Sequence, residues 1–251
     1  MVNPHVHVPY DRVGQYLDFI KKHRLNLELY FPSAVLDSIK STDIIHLKKT
    51  LDYMPSLSIH GPFMDLSPGA LDPKIRAVTM GRFFQVFDIA ELLEVESIVF
   101  HSGYEKWKYA LKFDLWLEKS LKTWKVLARK AVDRHIKIAI ENVFEDEPTN
   151  LRLLMEEMGS DHFGICFDTG HCNLFSGIPL DEWIGQLKPY ILELHLHDNS
   201  RAADDHKAIG DGTFNFDALF LLLKDKNLIC TIEGHAPEDV MKSIRKMNDY
   251  L

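Results

Sequence analysis

The chain has 251 residues, 46% of them hydrophobic and 26% charged, with a formal net charge of −8. This is the composition of an ordinary soluble globular protein, long enough to bury a full core, and it gives no electrostatic reason to expect nucleic acid or an anionic membrane as partner. The opening MVNPHVHVPY lacks a signal peptide's basic and apolar regions, no run approaches 18 apolar residues, and Cys166, Cys172 and Cys230 lack disulfide or zinc-knuckle spacing, so a reducing, cytoplasmic setting is expected.

In chain order, short β-rich apolar runs alternate with longer amphipathic stretches. HVHV at 5–8 precedes a helical pattern over Asp11–Arg24, with Val13, Tyr16, Leu17 and Ile20 on one face. LNLELYF (25–31) and SLSIHG (56–61) lead to a long helix over Lys74–Leu93, and SIVFHSG (97–103) to another over Leu115–Arg134. IKIAIEN (136–142), FGICFD (163–168), YILELHLHD (190–198) and LICTIEG (228–234) complete eight runs. Shorter helices are predicted over Asp181–Leu187, Asp217–Leu223 and Pro237–Leu251. No linker or low-complexity tract divides the chain. Eight strands alternating with helices over about 250 residues is the rhythm of a (β/α)8 TIM barrel, one domain over residues 1–251; a doubly wound open sheet is the structural rival.

In such a barrel, chemistry sits at the C-terminal ends of the strands. Those ends carry His5 and His7, Glu28, His60, His101, Glu141, Asp168, His195 and His197, and Glu233. A lone His or Glu there is more often a hydrogen-bonded structural residue than a ligand. Here the same exception recurs on all eight strands. A mouth crowded with carboxylates and imidazoles needs compensating cations, and a bound divalent metal supplies them. Mixed imidazole and carboxylate donors suit zinc, manganese, cobalt or ferrous iron better than calcium. His195 and His197, two apart, share one strand face. His171 follows Asp168 by three residues in a turn of small residues, and Asp204 and His206 form a D-x-H pair in the loop after the seventh strand.

The ordered motifs IHGPF, VFHSG, IAIEN, CFDTGH, LHLHDN, DDHKAIGDG and TIEG resemble the xylose-isomerase-like TIM barrels, which include sugar and sugar-phosphate isomerases and epimerases and also endonuclease IV. The resemblance spans nearly the whole chain. In its epimerase form it implies a single-metal site of Glu141, Asp168, His195 and Glu233, with Glu141 and Glu233 also serving as acid and base. In its endonuclease IV form it implies three metals: one held by His60, His101 and Glu141, a second by Glu141, Asp168, His195 and Glu233, and a third by His171, Asp204 and His206. All nine positions have a matching residue. In the epimerase form His60, His101, His171, Asp204 and His206 touch substrate or support the ligands instead, and Arg201 resembles the substrate-side arginine of ketose 3-epimerases. His197 and Phe63 are further substrate-side candidates. Phe63, Trp107, Phe144 and Phe175 follow strand ends, where they either wall a sugar pocket or pack in the core or a lid.

The first expectation is therefore a divalent-metal-dependent (Mn, Zn or Co) isomerase or epimerase acting on a sugar or sugar phosphate, with a homo-oligomer left open. The alternative is a metal-dependent phosphodiesterase on abasic DNA. Against nucleic acid stand the short loops and the acidic stretch Glu145, Asp146 and Glu147 near the mouth, which would repel a polyanion. A non-catalytic sugar- or metal-binding barrel ranks third, because it leaves the paired glutamates without a task.

Overall fold

Alternation along each strand decides the architecture. In the computed structural model, which describes residues 3–250, eight parallel strands close into a barrel: β1 (His5–Pro9), β2 (Asn26–Tyr30), β3 (Leu57–His60), β4 (Ser97–His101), β5 (Lys137–Glu141), β6 (Phe163–Asp168), β7 (Ile191–Leu196) and β8 (Ile229–Ile232). Each pairs with the next, and β8 closes on β1 through His5↔Thr231 and Val6↔Ile232. The closure excludes the open doubly wound sheet. All eight predicted runs are strands. Among the described residues no helix is long and apolar enough to cross a membrane.

Outward residues such as Leu27, Ile59, Ile98, Ile138, Ile140, Ile165 and Leu194 are buried against the helical ring, where Phe83, Phe87, Trp124, Leu127 and Trp183 face them. Each such side chain contributes roughly 1.5–3 kcal/mol by leaving water. The barrel interior differs. Among the described residues only Val99, Ala139 and Cys166 form an apolar cluster of their own there; buried Ser58, Ser97, Glu28, Glu193, His195 and Thr231 fill much of the rest. A TIM-barrel interior is ordinarily packed with branched aliphatics, so this polar column is the first sign of a site.

One irregularity aims it. Between β6 and β7 the partner of Ile165 is Ile191, but the partner of Cys166 is Glu193, so Leu192 is an extra residue. A bulge of this kind re-aims the side chains beyond it. Past it Asp168 lies beside His195 in register.

The helices differ from expectation mainly in number. Those predicted over Lys74–Leu93 and Leu115–Arg134 run over Pro73–Leu93 and Phe113–Asp133, and the terminal one over Pro237–Met247. The first begins as a short 3-10 turn, Tyr10–Arg12, before Val13–His23. Helices over Ser33–Leu36, Ser41–Thr50, Thr149–Met158 and Thr169–Phe175 were not anticipated. The last is the informative correction: the small-residue turn holding His171 is a helix. Asp168 is its N-cap, accepting from the His171 backbone N–H at 2.6 Å.

Candidate metal centre at the barrel mouth

Four side chains from β5 to β8 and the turn beyond converge on one point. His195 Nδ1 lies 3.2 Å from Glu233 Oε1, 3.5 Å from Glu141 Oε1 and 3.9 Å from Asp168 Oδ2. All four residues are buried. The other ring nitrogen of His195, Nε2, is 3.2 Å from Glu28 Oε2. A carboxylate can only accept, so Nε2 carries the hydrogen when the ring is neutral. Nδ1 is then an unprotonated lone pair, buried and without a hydrogen-bond partner, aimed at three carboxylates. That donor set fits a dication: neutral imidazole with one nitrogen fixed by a carboxylate, and three carboxylate oxygens within 3.9 Å of the other.

The same conflict recurs at two neighbouring rings. His60 Nδ1 faces the Gly61 carbonyl at 2.8 Å while Nε2 faces Glu141 Oε2 at 3.0 Å; both partners only accept. His171 Nδ1 faces the Asn142 carbonyl at 3.1 Å while Nε2 faces Asp204 Oδ2 at 3.4 Å. Each ring must be doubly protonated or must share its outward nitrogen with a cation. His101 Nε2 approaches Glu141 Oε2 at 3.1 Å, so His60, His101 and Glu141 form a second group of metal-binding shape. His206 Nε2 lies 3.2 Å from Asp204 Oδ2, drawing His171, Asp204 and His206 together. All nine positions of the polynuclear expectation thus meet at one mouth.

Protons do the balancing in the metal-free protein. Burial opposes charge throughout, but the imidazoles of His101 and His195 overcome it and hold the Glu141 carboxyl well below its usual range. Glu233 is likewise held down, to about 2, chiefly by His195 and His7 against the pull of burial. Burial also opposes a charged His195, yet the adjacent Cys166 sulfur, followed by the carboxylates of Glu28, Glu233 and Glu141, raises it well above the usual value. His206 is raised to about 9, the Asp204 hydrogen bond outweighing burial.

Supporting contacts fix the ligands. Asn142 is clasped to β6 in both directions, accepting from the Asp168 N–H at 2.9 Å and donating to the Asp168 carbonyl at 3.0 Å. His197 is buried and faces Asp168 from Nε2 at 3.0 Å, so it supports a ligand as well as touching the mouth. Any Cβ at Gly170 would overlap the His197 ring, which explains that glycine. His197, His206 and His235 form a stack, with ring centroids 4.0 and 5.0 Å apart.

A cavity of about 720 Å³ opens above these groups. Phe63, Phe144 and Phe175 wall it as expected, and Phe63 stacks on His101 at 4.3 Å. Trp107 is 70% exposed, carries the Lys106 ammonium over its ring, and is not part of that wall. Arg201 lies in neither this wall nor that of the adjoining cavity; its Nε donates to Asn173 Oδ1 at 3.1 Å.

Two sequence expectations need correction. His5 lies at the opposite end of the barrel, hydrogen-bonded to Ser56 and Ser58 at 2.8 Å each. The strand advances about 3.3 Å per residue, so of two inward histidines only His7 reaches the mouth. The acidic stretch is also not a repelling fringe. Glu145 is buried, accepts from Ser102 and the Val143 N–H, and burial raises its carboxyl; Asp146 pairs with Lys106 at 2.6 Å. The partner residues missed were Glu28, as the support of His195, and Glu193. Their inward parity with His195 and Tyr30 was the available signal.

Fold and site define a closed (β/α)8 barrel with a histidine–carboxylate cluster of metal-binding shape at its C-terminal mouth. A family model described as xylose isomerase-like TIM barrel matches residues 27–250, and the chain belongs to that family. It is 30% identical over 212 residues to the uncharacterised protein MJ1311 of Methanocaldococcus jannaschii, covering 79% of this chain and 71% of that one. Among solved structures, a D-tagatose 3-epimerase-like protein superposes with a TM-score of 0.85 at 25% identity, covering 98% and 96% of the two chains. The TTHB071 protein of Thermus thermophilus, from a crystal soaked with zinc chloride, superposes with a TM-score of 0.83 at 25% identity, covering 99% and 98%.

Proposed function

We propose that this protein is a divalent-metal-dependent isomerase or epimerase of a sugar or sugar phosphate. The observation that carries the reading is the unpartnered, buried Nδ1 of His195 facing Glu141, Asp168 and Glu233. Those four residues would hold a manganese, zinc or cobalt ion, which would polarise the two oxygens of a hydroxy-ketone and acidify the C–H between them. Glu141 and Glu233 come from strands three places apart around the barrel, so they approach a bound substrate from different sides. One takes the proton and the other returns one. Phe63, Phe144 and Phe175 offer apolar faces to the sugar's C–H edges and exclude water, while His60, His101 and His171 are placed to orient its hydroxyls. Arg201 would need its loop to turn inward to reach the substrate. Similarity to the D-tagatose 3-epimerase-like protein supports the substrate class.

One observation favours a second reading. His60 and His101 together approach Glu141 Oε2, and Asp204 lies between His171 and His206, a shape suited to further ions. Several clustered dications are most useful for clamping a phosphodiester. The inward Glu145 and paired Asp146 remove part of the charge argument against a nucleic acid. The two readings are separated by incubating metal-loaded protein with a panel of ketoses and ketose phosphates and with an abasic-site oligonucleotide. Turnover in the sugar panel with an intact oligonucleotide supports the first; strand cleavage with no sugar turnover replaces it with the second.

A further inference from the structure

His7 stands behind two of the proposed ligands at once. It lies on β1 beside Glu28 of β2 in register. Its Nδ1 donates to Glu28 Oε1 at 3.0 Å and lies 3.3 Å from Glu233 Oε1. Both carboxylates only accept, so Nδ1 carries the hydrogen. Glu28 Oε2 in turn faces His195 Nε2 at 3.2 Å, and His195 Nδ1 lies 3.2 Å from the same Glu233 Oε1. The four residues form a closed circuit, with the ligands His195 and Glu233 on one side and Glu28 and His7 on the other. The ring of His7 is itself held by neighbours outside that circuit. It stacks on Tyr30 at 5.9 Å and meets the edge of His60 at 5.5 Å.

Two consequences follow from where that hydrogen points. A carboxylate held by one donor pivots about the contact. Glu28 is held at both oxygens, so it keeps His195 in the orientation that leaves Nδ1 free. Glu233 is the first residue beyond β8, where strand pairing ends, so side-chain partners orient its carboxylate. Among the described residues, two imidazole nitrogens approach its Oε1, those of His7 and His195. His195 Nδ1 is the lone pair kept for the metal, which leaves His7 as the donor to that oxygen. We propose that His7 is a positioning residue of the metal centre. Its Nδ1–H orients the His195 ring through Glu28 and steadies Glu233 Oε1 toward the same point. The proposal rests on the metal-centre reading and adds a residue of β1, a strand that supplies none of the nine expected ligands.

Cobalt(II) is the probe, because its visible absorption reports the arrangement of its ligands as well as its binding. It is titrated, in competition with a calibrated chelator, into metal-free parent protein and three variants. His7→Phe keeps a ring against Tyr30 and loses the hydrogen. His7→Gln carries its amide nitrogen one atom further out, where Nε2 stands. His7→Asn places an amide N–H where Nδ1–H was and keeps the donor. His7→Phe and His7→Gln are expected to bind cobalt(II) about 10- to 100-fold more weakly, the usual cost of losing such a support, with altered absorption. His7→Asn should recover most of that affinity and the parent's absorption. If His7→Phe does not fold, the contrast between His7→Gln and His7→Asn decides. Parent-like affinity and absorption in His7→Phe and His7→Gln overturn the proposal. So does a loss in His7→Asn as large as theirs, which would assign the effect to ring packing. Failure of the parent to bind cobalt(II) removes the metal-centre reading, and this inference with it.

Discussion

Glu28 Oε2 lies 3.2 Å from His195 Nε2 inside the barrel, while Oε1 of the same carboxylate lies 3.0 Å from His7 Nδ1. Glu28 and His195 are both fully buried. The contact fixes which nitrogen of His195 is free and where it points. Glu28→Gln keeps the shape but loses the charge that favours the Nε2–H tautomer. We expect metal affinity to fall about 10- to 100-fold, the usual cost of removing such a partner, with the thermal transition of the metal-free protein retained. Competition against a calibrated chelator reads the affinity. Unchanged affinity would show that His195 needs no such support.

Metal uptake should release protons. Burial opposes charge on His195, yet Cys166 and its carboxylate neighbours raise it well above the usual histidine value. These neighbours thus favour a proton on the imidazole that a metal would have to displace. As pH falls, protons compete and apparent affinity weakens, by up to about tenfold per unit for each proton displaced. Calorimetry in two buffers of different ionisation enthalpy counts the protons. A count of zero at pH 7, with affinity flat between pH 6 and 8, would contradict this assignment.

Glu193 gives a stability prediction of a definite sign. Burial and the nearby Glu28 carboxylate push it up to about 8, although Ser97 and Thr231 donate to it at 2.7 and 3.0 Å. In the unfolded chain it titrates near the ordinary 4.5. Between those values the folded state holds the extra proton, so this group's contribution to stability declines as pH rises from about 4.5 to 8. Glu193→Gln removes that dependence. Without metal, the melting temperature of the variant relative to the parent should climb from pH 5.5 to 8.5. A relative fall over that range would refute it.

The strands were legible because their alternation is strong, and the histidine–carboxylate cluster because such residues recur near the C-terminal ends of the strands. What escaped notice has physical reasons. Thr169–Phe175 is seven residues long, begins TGHCN and draws its start from the Asp168 cap, so its own composition reads as a turn. Glu145 looks like a surface charge until the fold brings Ser102 and Asn150 to it. His5 and His7 share a strand face, and only the closed barrel decides which end each occupies.

Glu141→Gln and Glu233→Gln should each lower turnover about 10²- to 10⁴-fold, as removal of an acid or base does. An amide neither exchanges a proton as a carboxylate does nor offers the metal its charge. Steady-state rates on the substrate found in the sugar panel check this, with metal content measured in parallel. Full activity in either variant discards the two-glutamate mechanism.

The central claim is that Glu141 and Glu233 move a proton on the carbon beside a sugar carbonyl. Incubation of metal-loaded protein with its sugar substrate in D2O, followed by NMR of recovered substrate and product, reads that step directly. The account predicts deuterium at that single carbon in the product, and no exchange in Glu141→Gln, in Glu233→Gln or in chelator-treated protein. Product formed without deuterium from solvent, or exchange that continues in both variants, would contradict it.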